Sequence, residues 1–92
     1  MAVAHSTVTV GTAAVSLIDV NDTAGDKYSR TVLLSNPGTN SVFLGGPDVT
    51  TGDFGYELQA GGEVSIDLGV RDVPYAIAAA PGESVRVLHL GV

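Results

Sequence analysis

His5 and His89 are the only imidazoles in the chain, and a histidine held against a serine or threonine hydroxyl is a recurrent way to build a nucleophile. The strand-to-helix elbow Gly-x-Ser-x-Gly that presents such a serine does not occur in the sequence. The histidines lie near the chain's opposite ends, and terminal strands of a small sandwich can pair, so the rings could meet. A structural or solvated role accounts for both, and we assign them no chemistry.

Acid and base work by paired carboxylates would draw on Asp48, Asp53, Glu57, Glu63, Asp67, Asp72 or Glu83. Nearly all stand beside turn residues, where capping and solubility explain them. Gly45-Gly46-Pro47-Asp48-Val49-Thr50-Thr51-Gly52 is rich in glycine but lacks the lysine of a phosphate-cradling loop, and no helical pattern follows it. Asp19-Val20-Asn21-Asp22-Thr23-Ala24-Gly25-Asp26 places oxygen ligands at alternate positions, as a calcium loop does. Ala24 stands where that loop needs glycine, however, and Arg30 where it needs the bidentate glutamate. Asn21-Asp22-Thr23 matches a glycosylation sequon by spacing alone. No cysteine offers a thiolate ligand or a disulfide. No catalytic, cofactor-binding or metal-ligating residue is therefore assigned, and the chain is expected to bind or build rather than to catalyse.

The elements that would position any site are short β-type runs separated by turns, the pattern of an antiparallel sandwich or barrel, and about eight strands fit. Thr7-Val8-Thr9-Val10 alternates cleanly, and Val15, Leu17 and Ile18 continue after Gly11. Residues 19–26 are too polar for a strand. Tyr28 to Asn36 is the longest candidate, with Val32-Leu33-Leu34 apolar on both faces, as a central strand should be. Asn36-Pro37-Gly38-Thr39-Asn40 then reverses the chain into Ser41-Val42-Phe43-Leu44, which reads as a hairpin. Residues 45–55 form a long loop before Tyr56-Glu57-Leu58. Glu63-Val64-Ser65-Ile66-Asp67-Leu68 alternates most clearly, with Val64, Ile66 and Leu68 inward.

Tyr75 to Ala80 is small and apolar on both faces, suiting a strand pressed between neighbours. Val85 and Val87 share a face while Leu88 and Leu90 fall on the other, which demands a bulge or a second buried face. Ala60-Gly61-Gly62-Glu63 and Ala80-Pro81-Gly82-Glu83 echo each other twenty residues apart, and two similar turns explain the echo without a duplication.

Ninety-two residues without a composition break make one small domain. Its apolar burial only just offsets the entropy of ordering, and without disulfides it gains from oligomerisation or docking. Ten acidic and four dispersed basic residues leave a net charge of −6, which repels a polyanion, so direct nucleic-acid binding is not expected. No stretch approaches the apolar length of a membrane span and residues 1–6 do not read as a signal peptide, so no membrane partner and synthesis in the cytoplasm are expected. We divide the chain into an N-terminal arm, 1–6, and a single β-sandwich domain, 7–92. The arm is short, mostly uncharged and free to add as an edge strand to a partner, which makes Ala2, Val3, Ala4 and His5 candidate contact residues. Phe54 and Tyr56 are the loop aromatics able to offer a binding platform.

The residues Val32-Leu33-Leu34-Ser35-Asn36, Val42-Phe43-Leu44-Gly45-Gly46, Val49-Thr50-Thr51, Gly55-Tyr56-Glu57-Leu58, Ala60-Gly61-Gly62-Glu63 and Val85-Arg86-Val87-Leu88 carry a resemblance. The stretch from Thr31 to Val92, about two thirds of the chain, resembles small β-sandwich virion proteins encoded beside the capsid genes of tailed bacteriophages. The resemblance implies a capsid decoration protein on the outer surface of the head shell. Its partner would be the major capsid protein, with a homo-oligomer, a trimer by preference, as the assembled form. A tail or head-tail connector protein, or a carbohydrate- or receptor-binding module, is the alternative.

Overall fold

Alternation builds the sheets. Along Glu63–Leu68 the apolar residues Val64, Ile66 and Leu68 turn inward while Glu63, Ser65 and Asp67 face water, the period of two that a half-buried strand requires. The computed structural model describes residues 3–18, 30–69 and 72–90, and within them every regular element is a strand. In chain order these are β1 (Val3–Val10), β2 (Val15–Ser16), β3 (Arg30–Ser35), β4 (Val42–Gly45), β5 (Tyr56–Leu58), β6 (Glu63–Leu68), β7 (Tyr75–Ala78) and β8 (Glu83–Leu90).

The strands form two four-stranded sheets, β1-β8-β3-β6 and β2-β7-β4-β5, with every pairing antiparallel. The pairs β1–β8, β2–β7, β3–β6 and β4–β5 are nested. This is one long hairpin rolled over on itself, the topology of a double-sheet jelly roll. The expected all-β sandwich of about eight strands is thus the observed architecture. Val32, Leu34, Val85 and Val87 of the first sheet face Val42, Leu44, Ala76 and Ala78 of the second, all buried in one cluster. Each such valine or leucine contributes roughly 1.5–3 kcal/mol by leaving water.

The structure corrects the expected hairpin between β3 and β4. They belong to different sheets, because β3 already has β8 on one side and β6 on the other and offers no vacant edge. The Asn36-Pro37-Gly38 turn therefore carries the chain across the sandwich, with Gly38 N–H donating to Asn36 Oδ1 at 3.0 Å in a local Asx turn. The expected arm is corrected as well: residues 3–6 are the first half of β1, paired with β8 from Val3↔Leu90 to Ser6↔Val87. The pairing partner is some eighty residues away in sequence, so nothing local announces it.

β8 has no bulge, since its register with β1 runs unbroken from Glu83 to Leu90. Leu88 accordingly faces away from the core. The two echoing turns also differ: the left-handed residue is Gly61 (φ 75°) in one and Gly82 (φ 90°) in the other, one position apart in the aligned strings. Glu63 is exposed while Glu83 is buried.

Candidate binding surface

The two sheets treat their outer faces differently. On the second sheet, register places Phe43 beside Ile77 on the outer side, and the 46–55 loop folds back over that face. Phe54 packs on Phe43 with ring centroids 4.7 Å apart and planes tilted by 47°. Val49 is buried outside the main core and lies so close to Gly45 that a β-carbon there would stand 3.0 Å from its Cγ2. The loop is held by its own backbone bonds, Val49 N–H to Gly46 O at 3.0 Å, Thr50 N–H to Asp53 O at 2.9 Å and Gly55 N–H to Leu44 O at 2.8 Å. The segment expected as a long loop is one, and it folds over this face.

The first sheet has no such cover among the described residues. Because β3 and β8 are its central strands, Leu33 and Leu88 stand directly opposite each other on the outer face, both half-buried. The same row continues to His5 on β1 and Ser65 on β6, and the next row runs Thr7, Arg86, Ser35, Glu63. Apart from Ser65, these residues line a groove of about 450 Å³. Its floor is apolar. Its rim offers a guanidinium and a carboxylate two strands apart, roughly 9–10 Å at the usual strand spacing. Such a groove suits an inserted apolar side chain flanked by polar contacts, the composition of a protein contact surface.

The two imidazoles do not meet. His5 faces the groove with Leu88, whereas His89 pairs with Ala4 and points to the opposite side of the sheet. There Ser6 Oγ lies 3.3 Å from His89 Nε2 in an exposed contact. No group of three or more histidine, cysteine or acidic residues among the described residues is arranged to hold a metal ion, and the Asp19 to Asp26 loop lies outside them.

Of the expected contact residues, Ala2 lies outside the described residues, Val3, Ala4 and His5 are in β1, and Phe54 and Tyr56 are 40% and 47% exposed on the side of the second sheet. His5 and Phe54 therefore sit on opposite outer faces and cannot belong to one site. Leu33, Leu88, Arg86 and Glu63 were absent from the expected set; the phase break after Val87 signalled Leu88, and the apolar run through Leu33 signalled its partner, while nothing in the sequence marked Arg86 or Glu63. Among the described residues no helix is long and apolar enough to cross a membrane. Comparison of the chain with protein-family models, with curated proteins and with solved structures finds no match.

Proposed function

We propose that this chain is a structural protein of a tailed-phage virion, a capsid decoration protein that binds the outer surface of the head shell and stabilises it. The observation that carries the reading is the Leu33–Leu88 groove, which no described residue covers. A half-buried leucine pair at the centre of an exposed sheet face gains by being covered, and a partner bound only to the folded state stabilises it by mass action. The sequence resemblance points to the same class, and jelly rolls recur in viral capsid domains among other uses. The partner is then the major capsid protein, and the site of action is the capsid surface after synthesis in the host cytoplasm.

Purified shells lacking the protein, mixed with full-length chain and sedimented, test the reading. The parent should saturate the shells and raise their melting temperature, while Leu88→Ser, a change at a half-exposed position, should bind at least tenfold more weakly with its fold intact. Absence of binding by the parent would remove the decoration role.

A receptor- or carbohydrate-binding module is the second reading, favoured by the exposure of Phe54 and Tyr56, since sugar rings stack on such faces. Glycan-array binding lost in Tyr56→Ala, together with failure to bind shells, would select it.

A further inference from the structure

Four strand edges flank the two sheets: β1 and β6 on the first, β2 and β5 on the second. An open edge is a row of unpaired N–H and C=O groups that another strand can satisfy, and proteins guard such edges by shortness, charge or proline. β2 and β5 are guarded by length, with two and three residues. β6 is guarded by acid. A symmetric antiparallel pairing of two β6 strands about Ser65 would set Glu63 against Asp67 twice, and like charges directly opposite destabilise a ladder.

β1 has none of these guards. Its eight residues, Val3 to Val10, contain no acid, lysine, arginine or proline, and its far side has no strand partner among the described residues. His5, Thr7 and Thr9, its outward residues, are exposed. Valine and threonine are strand-favouring types.

We propose that β1 is a homodimerisation edge: two copies pair antiparallel along β1 about a two-fold axis at Ser6 or Thr7. The symmetry is isologous, so one self-complementary patch suffices. About Thr7 the operation sets Thr7 against Thr7 and His5 against Thr9; about Ser6 it sets His5 against Thr7. Either register keeps the parity of the strand, so the core-facing residues of both copies stay on one side and the groove-facing residues on the other. Four strands from each copy join into one sheet of eight. Hydroxyl pairs across the seam add to the backbone bonds.

A consequence follows for the groove. The Leu33–Leu88 pair lies between the second and third strands from the seam, so the dimer presents two grooves on one face, separated by about 19 Å across the strands at ~4.8 Å per strand and offset along them. A partner carrying repeated copies of one contact would engage both, and the second contact becomes intramolecular. The dimer itself rests on the chain's own edges and does not depend on the virion reading. It differs from the trimer that the resemblance implies.

Sedimentation equilibrium of the full chain across a dilution series tests it. The parent should weigh twice the 9.3 kDa chain and dissociate on dilution. Thr7→Glu and Thr7→Lys, each placing like charges at the axis, should each weigh a single chain, and their equimolar mixture should return to the dimer mass. Ser65→Lys, on the opposite edge, should stay dimeric. A parent that is monomeric or trimeric throughout, a Thr7 variant that remains dimeric, or a mixture that remains monomeric would overturn the proposal. Should the Thr7 variants fail to fold, amide exchange of the parent decides: β1 amides are expected to lose protection on dilution while those of β6 do not change. Concentration-independent exchange along β1 would overturn it.

Discussion

The side-chain amide of Asn36 donates to the carbonyl oxygen of Leu58 at 2.9 Å, a buried bond that joins the end of β3 in one sheet to the end of β5 in the other. The second amide hydrogen goes to Asn40 O at 2.8 Å, and Oδ1 accepts from Gly38 N–H. The backbone is used as fully: Asn36 N–H donates to Gly62 O at 3.0 Å, and Gly61 N–H donates to Asn36 O at 2.8 Å. Asn36 is only 1% exposed and every polar group it carries is bonded, the condition under which burying an amide is tolerable.

Asn36→Ala should therefore be among the most destabilising single changes in the chain. It strands the buried carbonyl of Leu58, at ~1–3 kcal/mol for a buried group left unsatisfied, and also removes the part-buried bonds to Asn40 O and from Gly38 N–H. Asn36→Asp keeps the shape but removes both donors, and it should be no more stable than the alanine variant. Thermal melting of the two checks this, with about 4–8 °C lost per kcal/mol in a domain of this size.

Gly38 is held to glycine by a neighbour rather than by its backbone angle. A β-carbon at this position would stand 2.5 Å from Glu83 Oε1 and 3.3 Å from Asn36 Oδ1. Glu83 is buried and accepts from Asn40 Nδ2 at 3.1 Å, so it yields only by giving up that bond. Gly38→Ala should destabilise by ~1–2 kcal/mol in the parent, and by clearly less in a Glu83→Ala background. Denaturant unfolding of the four-member cycle measures the coupling, expected at ~0.5–3 kcal/mol for residues in contact.

The sequence marked Ile66 as the centre of an inward face, and the structure moves it to the margin. β6 is an edge strand, and Ile66 is half-buried against the core cluster rather than within it. Leu34, on the central strand β3, is fully buried. Leu34→Ala should cost ~2–5 kcal/mol, the range for a leucine removed from a closed core, and Ile66→Ala should fall below it. Equal losses in chemical denaturation would mean that β6 is more deeply covered than its side chains indicate.

What was legible in the sequence was local. β5 and β6 were found to the residue, because period-two alternation and flanking glycines are written within a few positions of each other. What failed was non-local. Pro37-Gly38 announces that the chain turns but not that it crosses to the other sheet, since that depends on β6 and β8 already flanking β3. Val3 to Ser6 carries too few apolar residues to declare itself a strand, and its pairing with β8 lies at the far end of the chain. The groove was half visible: Leu88 is out of phase with Val85 and Val87, and Leu33 breaks the alternation of β3, but only the register Leu33↔Leu88 shows that the two departures meet.

Phe54 provides the last prediction, because its exposure can mean either a binding platform or a lid. The 4.7 Å stack on Phe43 and the burial of Val49 and Ile77 on the same side of the sandwich favour the lid. An aromatic pair contributes ~0.5–1.5 kcal/mol beyond area burial, so Phe54→Ala should lower the melting temperature by several degrees and quicken proteolysis within the 46–55 loop. Tyr56→Ala, at a more exposed residue, should do neither. Gly45→Ala attacks the same cover from beneath, since its β-carbon would press on Val49 at 3.0 and 3.2 Å, and it should reproduce the proteolytic opening without touching an aromatic ring. Limited digestion of the three variants with a protease of broad specificity separates the cases. Faster loop cleavage in Phe54→Ala and Gly45→Ala alone is the expected pattern, and resistance of Gly45→Ala equal to the parent's would show that Val49 does not hold the loop down.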